Sequence, residues 1–419
     1  MAAKIWLGAG YHTSNVSAAS STRYTALGGT QYFHDAAYTA EALAQQTCRN
    51  PGTVSNLRVR VPSNSRTATT VTFRKNGADA APTLTITAST TGTFEDTSNS
   101  VALADGDLYD VAVTTGTGTA NMHLAYVYCD YDITGSLTQR FCASNNDQNL
   151  STASVDRFDR FCGLLSASTT ESSRQSDWRA GTASNFLIGI SSNARSTTTT
   201  FRFRVNGADG NQVISVGSGV TGTLEDTTNT DSIVVNDSIS MKSTTGTGTG
   251  TLRYGVSSFV FDATSGKQFV LADGGFSHNT TCYWPLIGGV NDVTTESQVQ
   301  FPLPFAVTMS ELRFTVTSNA STVITTFNTR VNGANGALTA SVGAGATGTF
   351  ADLVNSQSLS AGDLLNYQST GQNGAINASI SGILVAETVA GGNLFMNLAG
   401  SGGLAGMGGL AGQGGGLAG

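Results

Sequence analysis

Along this chain, apolar and polar residues alternate in runs of a few positions, and Gly, Asn, Asp or Thr closes nearly every run. Phe201, Phe203 and Val205 alternate with Arg202 and Arg204 and then meet Asn206-Gly207. Period-two alternation stopped by Asn-Gly marks a half-buried strand entering a hairpin turn. "QVISVG", "DSIVV", "SISMKS" and "LRYGVSSFVF" continue in the same style. About seven to ten such strands per 130 residues is the expectation for a β-sandwich. "AAYTAEALAQQ" (36–46) is the one helix-like stretch. Its counterparts around "TTESSRQ" and "TTESQVQ" lack a helical period, so the pattern predicts no more than a turn of helix there.

The strand pattern recurs as a whole. Asn-Gly pairs fall at Asn76-Gly77, Asn206-Gly207 and Asn332-Gly333, and a T-G-T begins 15 residues after each Asn, at Thr91, Thr221 and Thr347. Another 15 residues lead to Gly106-Asp107, Asn236-Asp237 and Gly362-Asp363. Upstream, "KIWL" (4–7), "QRFC" (139–142) and "KQFV" (267–270) open the copies. The repeats therefore run 1–133, 134–263 and 264–390, followed by a Gly/Leu/Ala-rich tail at 391–419. A period near 130 residues is a whole domain. The links "YDITGS" (131–136) and "FDATSG" (261–266) are short and proline-free, which favours packed neighbours over a flexible string.

The hairpins "SVALADGDLYDVAV" (100–113) and "SLSAGDLLNYQS" (358–369) resemble the apolar-x-x-Gly-Asp-apolar hairpin of tumour-necrosis-factor-like and complement-head-like jelly rolls. The resemblance covers about fifteen residues per copy, and the middle copy departs from it with Asn236-Asp237. Those relatives are compact, trimer-forming sandwiches. The repeats and this resemblance together imply an all-β chain of three tandem β-sandwich (jelly-roll-like) domains with an extended tail, either packed as a single-chain pseudo-trimer, which the short links favour, or strung out as beads.

Composition narrows the function. Charged residues are 12 % of the chain, Gly numbers 50 and helix formers are thin, which suits an all-β protein. The net charge of −7 has no basic stripe, so no nucleic-acid partner is expected. No apolar run approaches the ~18 residues of a membrane span, and "MAAKIWLGAGYHTSN" is not a secretory signal, so no membrane partner is expected.

Several residues invite chemistry and are better read as structure. Gly217-x-Gly219-x-x-Gly222 and Gly343-x-Gly345-x-x-Gly348 have dinucleotide-loop spacing. No helix pattern follows them, and the first copy has "TASTTGTFED" at the same place, so they read as one turn used three times. Glu95-Asp96, Glu225-Asp226 and Asp352 follow that turn without a calcium-loop pattern and read as turn caps. His12, His34, His123 and His278 form no ligand motif, and Cys48, Cys129, Cys142, Cys162 and Cys282 contain no C-x-x-C. The cysteines read as buried reduced thiols and Trp6, Trp178 and Trp284 as core. The N-x-S/T sequons at Asn15, Asn149, Asn236, Asn279, Asn319 and Asn377 are expected by chance in so Ser/Thr-rich a chain. No catalytic residue, cofactor or metal site is expected.

In the tail, Leu398, Leu404, Leu410 and Leu417 recur at intervals of six, six and seven, and are the candidate partner-binding residues. An extended three-residue-per-turn helix puts the first three on one face. Tandem Ser/Thr/Gly-rich β-domains with a Gly-rich end are similar in style to bacteriophage virion proteins such as capsid decoration proteins and head or tail fibres. That likeness implies a non-enzymatic structural protein on the virion surface, assembled in the host cytoplasm, cementing a shell. Its partners would be the major capsid protein, other virion proteins or further copies of itself. The alternatives are a tail-fibre adhesin that grips a host glycan and a polysaccharide depolymerase. A depolymerase needs a paired acid site, and the repeats share none.

Overall fold

In the computed structural model the alternating runs are strands; it describes residues 3–386 apart from 11–14, 17–18, 28, 31–39, 119, 135–137, 152, 162–166, 265–267, 276–279 and 288–292. The first copy has one antiparallel sheet in the order Gly92–Leu103, Gly52–Val61, Tyr126–Ile133, Ala3–Gly10. Its second sheet runs Thr22–Thr25, Leu108–Thr115, Thr69–Lys75, Ala78–Ile86. The second copy repeats both orders, with Gly222–Ile233, Gly181–Asn193, Leu252–Ala263, Thr138–Leu150 and with Asp156–Asp159, Ser238–Thr245, Thr199–Val205, Ala208–Val216. The third has Gly348–Leu359, Val307–Asn319, Ile376–Ala386, Gln268–Gly275 and Cys282–Trp284, Leu364–Thr370, Thr325–Val331, Ala334–Val342. One further piece, Gly29–Thr30, pairs in parallel with Gly10 on one side and with Cys142 and Ala143 on the other. It joins the first sheets of copies 1 and 2 into one of nine strands.

The fold is all-β, with sheets facing each other as in a β-sandwich. In copy 1, Val54, Leu57, Val59 and Val61 from one sheet meet Val71, Phe73, Val111 and Val113 from the other, and all are fully buried. Alternation puts every second residue of these strands inward, where a Val, Leu or Phe contributes about 1.5–3 kcal/mol. Copy 2 fills the same space with rings: Phe161, Trp178, Phe186, Phe203 and Phe259. Phe201 and Phe203 are buried as their alternation predicts.

In the described part of the helix-like stretch 36–46, Glu41–Leu43 form a 3-10 turn, and its counterparts are Glu171–Arg174 and Glu296–Gln298. Among the described residues, no helix is long and apolar enough to cross a membrane. Met1–Ala386 form one compact unit. The tail, with Leu398, Leu404, Leu410 and Leu417, lies outside the described residues.

Candidate functional site

The glycine-spaced stretch 216–226 is the turn between Ala208–Val216 and Gly222–Ile233. The Val220 amide donates to the Gly217 carbonyl at 3.3 Å, and Gly219 and Gly222 have φ of 72° and 98°. Copy 3 repeats the turn through Ala346 and Gly343 at 3.1 Å, while copy 1 puts Ser89 at φ 54° where the others have glycine. Asn193 Nδ2 closes the turn by donating to the carbonyls of Gly217 (2.7 Å) and Val220 (3.2 Å). Asn64 and Asn319 do the same in their copies, so the Asn319 sequon amide is committed to this turn. A strand follows the turn, so the helix N-terminus that holds a phosphate in a dinucleotide site is not built here.

Of the acids after the turn, the three aspartates are buried, while Glu95 is exposed. Asp226 accepts the amides of Val213 (2.8 Å), Thr228 (3.1 Å) and Asn229 (3.1 Å), and Asn229 Nδ2 at 2.9 Å. Asp96 and Asp352 accept the equivalent amides. Burial pushes the Asp226 carboxyl up, but the Asn229 side chain and the three backbone amides outweigh it and hold the group at about 2. Each carboxylate caps the point where its strand's ladder slips register.

A second recurrent group escaped sequence reading. Arg74, Arg204 and Arg330 lie two residues before the Asn-Gly turns, and each grips the Glu of the distant 3-10 turn with two parallel bonds. Arg204 Nε and Nη2 donate to Glu171 Oε1 and Oε2 at 2.9 and 2.8 Å. Arg74 holds Glu41 at 2.9 and 3.0 Å, and Arg330 holds Glu296 at 2.9 and 3.1 Å. The guanidinium groups also lie over the rings of Tyr24, Phe158 and Tyr283 at 5.6, 5.8 and 5.8 Å. The only sequence signal was a Glu 33 or 34 residues before each Arg. The Asn-Gly and Gly-Asp motifs prove to be two halves of a clasp: Asn76, Asn206 and Asn332 donate to Asp107, Asp237 and Asp363, 31 residues on.

Two buried arginines organise the opposite end. Arg66 and Arg195 are 1 % exposed, and four backbone carbonyls converge on each guanidinium. Arg195 donates to Leu150 (3.2 Å), Gly250 (3.2 Å), Gly246 (2.9 Å) and Gly248 (2.7 Å). Arg66 donates to Val16, Ala120, Gly116 and Gly118. Gly116 and Gly118 in copy 1 and Gly246 and Gly248 in copy 2 thus help wrap a cation, and Ser321 with Asn373 replaces it in copy 3.

The copies meet along three seams. Between copies 1 and 2, Arg49 Nη2 donates to Glu225 Oε2 at 2.7 Å, and Ala26, Leu187 and Val256 pack together. Between copies 2 and 3, Arg179 donates to Glu311 Oε2 at 3.0 Å and to its carbonyl at 2.7 Å, while Arg313 bonds Asn236 and Thr349 bonds Asp177. Arg49 and Arg179 occupy the same place in their copies, each one residue after a backbone contact to the Gly106-Asp107 or Asn236-Asp237 turn (Cys48 to Asp107, Trp178 to Asp237). Burial and the nearby Arg313 pull Arg179 down to about 10. Between copies 3 and 1 the contact is aromatic. Tyr126 and Tyr128 donate to the carbonyls of Val299 and Pro302, and both rings lie within 4.9 Å of Phe301, centroid to centroid.

The other flagged residues are structural where they are described. Trp178 and Trp284 are core, and Cys48, Cys129 and Cys282 are buried and unbridged. Burial alone lowers His123 to about 4, so its imidazole is neutral at pH 7. His12, His34, His278, Cys162 and Asn279 lie outside the described residues, as do the side chains of Trp6, Cys142 and Asn15. Copy 3 differs on its outer surface: Asp352 is followed by Leu353 and Val354, 54 % and 93 % exposed, where the other copies have Thr97-Ser98 and Thr227-Thr228. No protein-family model matches this sequence, and no curated protein matches it.

Proposed function

We propose that this chain is a structural virion protein, built of three jelly-roll domains (1–133, 134–263 and 264–390) closed into a single-chain trimer. It decorates or cements a phage shell, with residues 391–419 and their leucines as the attachment segment. The direction of the seams carries the reading. Copy 1 reaches onto copy 2 through Arg49, and copy 2 onto copy 3 through Arg179. Copy 3 reaches onto copy 1, where Tyr126 and Tyr128 receive Val299, Phe301 and Pro302. Contacts of one hand, made from the same end of each copy to the next copy's first sheet, are how head-to-tail interfaces close a threefold ring.

The strand order, the same in the three copies, supports reading each as an eight-stranded jelly roll. A threefold ring suits a threefold position on a symmetric shell, and the exposed Leu353-Val354 pair distinguishes one of its three rotational settings. The protein acts by burying surface across junctions between shell subunits; about 1,200–2,000 Å² per contact gives a stable seat. No bond is made or broken.

Co-sedimentation of the purified chain with DNA-free shells of its source particle tests this. The expected result is saturable binding at a fixed ratio, lost when residues 391–419 are trimmed. Binding to host cells or their glycans with none to shells rejects cementing in favour of an adhesin. Release of new sugar ends from host polysaccharide points to a depolymerase.

A further inference from the structure

Copy 1 places an acid where its siblings have neutral residues. Asp110 lies on Leu108–Thr115, at the position of Ser240 in copy 2 and Asn366 in copy 3. Ser240 adds a donor to the arginine–glutamate clamp: its Oγ donates to Glu171 Oε1 at 2.9 Å. Asp110 is fully buried, and no donor among the described residues reaches either of its carboxyl oxygens. What faces it is the Glu41 carboxyl. The other charged and titratable neighbours are Arg74, Asp79 and Tyr24. Arg74 is already engaged by both oxygens of Glu41 and by Asp79, and its guanidinium covers the Tyr24 ring. Burial first, and Glu41 second, push the Asp110 carboxyl well above the usual carboxylate range. Two carboxylates confined together do not both ionise.

Glu41 opens the turn that carries copy 1 onto copy 2. The Ala42 carbonyl lies so close to Gly189 that a Cβ there would come within 2.9 Å, and Leu43 stands 2.8 Å from where a Cβ on Gly255 would sit. We propose that Asp110 and Glu41 share one proton, that this proton fastens the turn 41–44 against copy 2, and that rising pH, which draws the proton off the opened form, loosens this seam alone. The Asp110 O–H donates to the Glu41 carboxylate as the Ser240 hydroxyl donates to Glu171. When the seam opens, Asp110 meets water, ionises and releases its proton to solvent. The closed form holds a proton that the open form gives up above about pH 4. The seam is therefore tightest in acid and weakens with rising pH until the closed form also loses the proton. Across that window the opening constant rises about tenfold per pH unit.

Amide hydrogen exchange on the full chain tests this between about pH 5 and about pH 9, corrected for the intrinsic pH dependence of exchange. The peptides to follow cover 41–44 on one side of the seam and 187–190 and 254–257 on the other. Their protection is expected to fall about tenfold per pH unit, while that of 296–298, the equivalent turn of copy 3, where Asn366 stands in place of Asp110, stays flat. Asp110→Ser and Asp110→Asn keep a donor toward Glu41 with no proton to lose, and both are expected to abolish the slope. A flat profile in the parent, or an unchanged slope in either folded variant, overturns the proposal. If one variant fails to fold, the other decides.

Discussion

Replacing Arg195 by Met tests whether the carbonyl cage stabilises copy 2 or merely fills it. Methionine keeps the apolar stem and most of the volume, so packing changes little. What disappears is four Nη–H donors facing four carbonyls at 2.7–3.2 Å, together with a buried Nε–H that has no partner among the described residues, in a site that is 1 % exposed. At about 1 kcal/mol net per bond the loss approaches 4 kcal/mol, and releasing a buried cation returns part of it. A net cost of about 2–4 kcal/mol is expected. The loop has little freedom to turn its carbonyls to water: a Cβ on Gly248 would meet Ser196 Oγ at 2.4 Å, and one on Gly250 would meet the Ala194 carbonyl at 2.0 Å. Trp178, fully buried in the same copy, reports its unfolding in urea once Trp6 and Trp284 are replaced by Phe. Arg195→Lys supplies three donors from a point and not a planar fork, so it should recover only part of the loss. A change below about 0.5 kcal/mol for the Met variant, within the range of an ordinary surface substitution, would refute the cage as a stabilising device.

Other outcomes follow from the same geometry. Burial raises Asp159 to about 7, with Tyr254 and two arginines opposing the shift. Its native value exceeds the unfolded one, so stability is fully present below about pH 4 and is lost as pH rises to about 7. Asp159→Asn should thus be neutral near pH 4 and stabilising by up to about 4 kcal/mol at pH 8; an equal effect in urea titrations at both pH values contradicts this. Arg179→Ala and Glu311→Ala should show a coupling of about 1 kcal/mol in a double-mutant cycle, because Arg179 is buried while Glu311 is about one-third exposed. Gly219→Ala meets no atom within 4 Å and should cost only the left-handed backbone penalty of about 1 kcal/mol. Gly250→Ala should cost several times more, and a comparison of their urea midpoints checks the difference.

The sequence disclosed whatever is local. Asn-Gly announced hairpins, T-G-T announced a turn, and the acids behind it cap their own next two or three amides, a geometry written within four residues. Alternation at Phe201 and Phe203 pointed to the core correctly. What stayed hidden depends on contacts between distant segments. Arg204 and Glu171 look like two scattered charges until the fold brings them to 2.8 Å. Arg66 and Arg195 gave no sign of being buried, because a guanidinium satisfied by carbonyls leaves no acidic partner in the sequence to find. Nor did the seams appear, since Arg49 and Glu225 lie 176 residues apart and belong to different copies.

Gly29 and Thr30 have a mechanical consequence. They are the only backbone ladder between copies 1 and 2 among the described residues, a staple of two residues beside strands such as Ala3–Gly10, which pairs with its own neighbour at eight positions. Under load, a ladder that short and the side chains of its seam give way before either four-stranded sheet unzips. Such a tear separates whole, still-folded copies, and they can snap shut again without searching for strand register. A molecule with that break line absorbs strain by parting and re-closing, and no strand has to unravel.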